Sequence, residues 1–76
     1  MKLRRDQYDR LIVSYDEERD RWFFRAFYGQ KVMASFESPA WFDQAWSDRD
    51  LLDIAFTTLN KSDLNPTDNA KVEIWR

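Results

Sequence analysis

The chain of 76 residues has no cysteine and no histidine, one glycine and two prolines. Without cysteine, neither disulfides nor thiolate metal sites can brace the fold. Small domains without disulfides are more often cytoplasmic than secreted, and the expected compartment is the cytoplasm. Without histidine or a thiol, the usual general base and nucleophile are missing. Ser14, Ser35, Ser38, Ser47 and Ser62 have no imidazole to activate them, and none lies in a nucleophile-elbow context. One glycine cannot build a glycine-rich phosphate loop. The expectation is therefore a protein that is not an enzyme and uses no cofactor. No run approaches the roughly 18 apolar residues of a membrane-spanning helix. Basic residues in MKLRRDQYDR are not followed by an apolar segment, so no signal peptide and no membrane partner are expected.

Four tryptophans, three tyrosines and six phenylalanines are present in their place. A chain this short buries only about 60–65% of its unfolded surface, so its stability rests on its largest side chains. Each aromatic buries on the order of 150–250 Å². The length sets one domain over 1–76, with 1–9 as a loosely held lead-in. Net charge is −2, which opposes strong non-specific attraction to nucleic acid or anionic membrane. The charge is unevenly spread. Residues 1–15 hold four basic and two acidic side chains, whereas 37–63 hold six acidic and two basic ones. The plain reading is solvated surface, and the sharper one is a bipolar molecule that docks a partner or its own copy.

The organising stretch is Asp20 to Glu37, DRWFFRAFYGQKVMASFE. Trp22, Phe24, Ala26 and Tyr28 alternate with Phe23, Arg25 and Phe27, the two-residue period of a strand. Gly29 tolerates the positive φ that the first position of a type II′ turn requires, so a hairpin is expected here. Arg10 to Asp16 reads as a preceding strand with Leu11, Val13 and Tyr15 on one face, and Glu17–Arg19 as a charged turn. Ser38-Pro39 is a helix-start signal, followed by Trp41, Phe42, Ala45 and Trp46 at helical spacing. Ser47-Asp48-Arg49-Asp50 is a second such signal, opening a helix with Leu52, Ala55, Phe56 and Leu59 as its stripe, flanked by Leu51. Asp50, Asp53, Thr57 and Asn60 form its wet face. One bent helix from Pro39 to Asn60 fits almost as well. Lys61–Asn69 is rich in turn residues, and Ala70–Trp75 closes the chain as a strand. The order β-β-β-α(α)-β gives a two-layer α+β domain: an antiparallel meander of three strands plus a C-terminal strand, with one or two helices on one face.

Asp43, Asp48, Asp50 and Asp53 are the one cluster suggestive of a hard cation. The glycine and terminal glutamate of a calcium loop are absent, and helix-start carboxylates offsetting the dipole account for them, so no metal is expected. Only one sheet face can lie under the helices, and the other keeps aromatics near solvent. Phe23, Arg25 and Phe27 share one face, with Met33 and Ser35 on the next strand. An exposed aromatic patch marks a protein interface, and Trp41 or Trp46, if partly exposed, would be a hot-spot anchor. The expected function is binding of another protein, of regulatory, adaptor or inhibitor type, through this face or an edge strand. Single-stranded nucleic acid stacked on the same aromatic and arginine face is the alternative, disfavoured by the acidic balance. A homodimer that consumes the aromatic face is a third option.

Over Phe23 to Ser38, FFRAFYGQKVMASFES resembles a family of small bacterial proteins that place a strand, a Gly-Gln-x-Val turn and a second strand before an amphipathic helix. The resemblance implies a small α+β domain and transfers no activity or site. In size and architecture the chain is also similar to phage and mobile-element proteins that bind and block host machinery.

Overall fold

The computed structural model describes residues 7–38 and 45–76. Strands β1 (Gln7–Asp16), β2 (Arg21–Tyr28) and β3 (Lys31–Glu37) precede helix α1 (Asp48–Lys61) and strand β4 (Asn65–Trp75). They form one four-stranded sheet in the order β3-β2-β1-β4, an α+β fold with the helix on one face.

The meander follows from its two turns. Asp16 Oδ1 accepts the amide hydrogens of Glu18 and Arg19, and Asp20 takes a left-handed φ of 54° to bring the chain back into β2. Asparagine and aspartate are the residues that tolerate this conformation best after glycine. In the second turn Gly29 has φ 61° and Gln30 does not join it at positive φ, the pattern of a type II′ turn. The Gly29 amide also donates to the Asp9 carboxylate at 3.2 Å, tying the hairpin tip to β1.

β1 begins at Gln7 rather than Arg10, so the last residues of the expected lead-in are strand. Tyr8 is buried there at 1% exposure. A lone tyrosine among charged neighbours gave no alternation to signal this. β4 begins at Asn65, five residues before the expected start, with Pro66 opposite Tyr8 at the beginning of the strand, a position proline tolerates.

The sheet is not wholly antiparallel. β1 pairs β2 and β2 pairs β3 antiparallel, but β4 runs parallel to β1. One helix accounts for the direction. α1 has 14 residues, about 21 Å of helix, comparable to the about 23 Å of a seven-residue strand such as β3. A single helical pass returns the chain to the end where β3 began, so the next strand must run as β3 and β1 do.

The core lies between this helix and one sheet face. Leu11, Val13, Trp22, Phe24 and Ala26 from the sheet meet Leu51, Ala55 and Leu59 from α1, all at 1% exposure or less. Phe24 stacks on Phe36 with centroids 4.9 Å apart and planes 9° from parallel. The helix stripe is rotated from the expected one: Leu51 is fully buried and Phe56 is 39% exposed. Asp50, Asp53, Thr57 and Asn60 face solvent as the periodicity predicts.

Ser47 is the N-cap of α1, with extended φ and ψ and its hydroxyl accepting the Asp50 amide at 3.2 Å. One helix running through Ser47 is thereby ruled out. Expectations for Trp41, Phe42, Asp43 and the first helix turn fall at 39–44, outside the described residues. At the other end Leu64 N–H donates to Leu59 C=O and Asp63 N–H to Asn60 C=O, with Asp63 at φ 60°. This is a Schellman motif with aspartate where glycine is usual, and its Leu59–Leu64 pair belongs to the core.

Candidate interaction surface

Strand alternation decides which aromatics reach solvent. Trp22, Phe24 and Ala26 point under the helix, so Arg21, Phe23, Arg25 and Phe27 lie on the opposite face. The register sets Arg25 beside Ile12 of β1 and Ser35 of β3, at the middle of an inner strand. Met33 is the extra residue of a bulge, since Phe27 pairs with Val32 and Ala26 with Ala34. The bulge turns Val32, which is 51% exposed, onto the same face as Phe27.

Each phenylalanine of the face is accompanied by an arginine held by a glutamate. The Arg19 guanidinium lies 5.8 Å from the Phe23 ring centre and bonds Glu37 at 3.1 Å. Arg21 reaches the other oxygen of Glu37 at 3.2 Å. Arg10 lies 6.0 Å from the Phe27 ring centre and bonds Glu73 at 2.8 Å. These pairs are solvent-exposed, so each contributes at most about 1 kcal/mol and serves mainly to orient its arginine. Arg25 differs: it is exposed and has no ion pair among the described residues. A shallow groove of about 590 Å³ runs beside it, lined in part by Ser14, Asp16, Arg19 and Phe23.

Phe23, Arg25 and Phe27 are therefore brought together. Trp46 is not with them: it is half-buried, packs against the helix-side core, and its carbonyl accepts Arg76 Nη2 at 2.9 Å. Trp41 lies outside the described residues. Asp48 and Asp50 are in the first turn of α1, where Arg76 bonds Asp48. Among the described residues no three acidic side chains converge as a metal site would require.

The sequence reading missed Arg10, Arg19, Val32, Glu37, Glu73 and Trp75. Trp75, 60% exposed, stands next to Ser14 on this face. Arg10 faces Phe27 once the hairpin register is known, and Val32 needs the bulge, which has no sequence signature. Among the described residues no helix is long and apolar enough to cross a membrane.

No family model matches the chain, no curated protein matches it, and no solved structure matches its fold.

Proposed function

We propose that the protein is a non-enzymatic cytoplasmic domain that acts by binding another protein through the open sheet face. The observation that carries this reading is Arg25: a guanidinium with no counter-ion among the described residues, between Phe23 and Phe27, on an inner strand. Its five donors leave it ready for a partner's carboxylate or backbone carbonyls. Arginine and aromatic side chains are the groups that dominate protein interfaces. The arginine-over-ring pairs arrange the two phenylalanines before any partner arrives, which lowers the entropy lost on binding.

Single-stranded nucleic acid is the second reading, favoured by the open rings and by Arg10, Arg21, Arg25 and Lys71 on one face. Against it, Asp16, Glu37 and Glu73 sit among those cations and would meet the phosphates. Titration with short single-stranded RNA and DNA, followed by tryptophan fluorescence at low and higher salt, separates the two. The protein-binding reading predicts no saturable change at low salt. Saturable quenching that fades with salt would replace it with the nucleic-acid reading.

A further inference from the structure

Among the described residues the sheet's two edge strands, β3 and β4, are built differently. β3 is interrupted by the bulge at Met33, a device that discourages strand addition. β4 is the longest strand, with one neighbour among the described residues, and its last part pairs β1 without interruption from Lys71 to Trp75. The outer edge of that segment pairs with no other strand among the described residues.

Its side chains are self-complementary. If a second copy pairs antiparallel about a two-fold axis at Val72, Lys71 of each copy stands opposite Glu73 of the other. Val72, 40% exposed, meets its own counterpart. Directly opposed residues share a sheet face, so both charge pairs fall on the open side and Val72 on the helix side. Neighbouring registers are worse: an axis at Lys71 or Glu73 opposes like charges, and half-residue axes break the face alternation. Glu73 already pairs with Arg10 within the chain, and a second copy would add Lys71 beside it. Lys71 has no ion pair among the described residues.

We infer that the protein self-associates through the β4 edge, joining two sheets into a continuous eight-stranded one with both helices on the same side. The open face that carries Arg25 occurs twice in the dimer, with Lys71 and Glu73 at its outer border.

The test is sedimentation equilibrium over a wide concentration range for the wild type, K71E, E73K, K71E/E73K and R25E, with circular dichroism to check folding. The expected result is a concentration-dependent dimer. K71E and E73K should each weaken it at least tenfold by opposing like charges twice. The double swap should restore the association to within about threefold, because opposite charges then face each other again with their positions exchanged. A wild type that stays monomeric at all concentrations overturns the inference. So does a dimer that K71E leaves intact, and one lost in R25E would move the interface to the open face.

Discussion

Ser38 and Trp22 are joined by two hydrogen bonds. The Ser38 amide donates to the Trp22 carbonyl at 2.8 Å, and the Trp22 amide donates to Ser38 Oγ at 3.0 Å. The serine hydroxyl thus stands where the next strand carbonyl would, one residue past the end of β3. Both residues are buried, and Trp22 anchors the core. Substitution of Ser38 by alanine leaves a buried amide without its acceptor, at a cost of about 1–3 kcal/mol. In a domain this size that lowers Tm by roughly 4–8 °C for each 1 kcal/mol. A melting point unchanged in S38A would show that this bond contributes nothing.

The ends of α1 give effects of opposite sign. Ser47→Ala removes the acceptor for the Asp50 amide and should cost about 1 kcal/mol. Asp63→Gly removes the Cβ from a left-handed residue and should stabilise by about 0.5–1 kcal/mol. Urea unfolding of both variants checks the pair, and destabilisation by D63G would contradict the Schellman assignment.

Burial raises the pKa of Tyr8 above its ordinary 10.0. The unfolded chain then loses this proton first as pH rises. The stability associated with keeping Tyr8 neutral is complete below pH 10.0 and lost as pH climbs through the higher folded value. Tyr8→Phe should lessen the loss of stability above pH 10.0. Equal slopes in wild type and Y8F would place the phenol in contact with water.

The two faces of β2 should respond differently to truncation. Phe24→Ala opens a cavity in the core and should cost about 3–5 kcal/mol. Arg25→Glu removes no ion pair seen among the described residues and should stay within about 0.5 kcal/mol of wild type. Phe23→Ala and Phe27→Ala, each losing a half-buried ring and an arginine contact, should fall between. Thermal melts rank the four, and a collapse of R25E would place Arg25 in a structural role.

Much of this architecture is legible in the residues. The alternation from Trp22 to Tyr28 and the position of Gly29 specify the hairpin, and Ser47 specifies the start of α1. What alternation could not show was which face the helix covers, since Trp22 and Phe24 compete with Phe23 and Phe27 on size alone. The helix covers the face of Trp22, Phe24 and Ala26, which join Leu51, Ala55 and Leu59 in one buried core. The direction of β4 was hidden because a strand reads alike in both directions, and its pairing depends on a helical crossover far away in sequence. The turn-rich Lys61–Asn69 placed the helix stop within one residue of where α1 ends, and only the form of the cap was hidden, because a left-handed cap is usually announced by glycine.

The proposed contact of the face around Arg25 with another protein can be trapped covalently. Its most direct test replaces Ser35, the exposed neighbour of Arg25 on β3, with a photoreactive amino acid, irradiates the protein in an extract of its source cells, and repeats this with the probe at Asp53 on the helix's wet face. A discrete protein adduct is expected from position 35 that resists nuclease, disappears when Arg25 is also changed to glutamate, and is absent from position 53. Adducts equal at both positions, an adduct removed by nuclease, or one consisting only of a second copy of the chain would contradict the proposed contact.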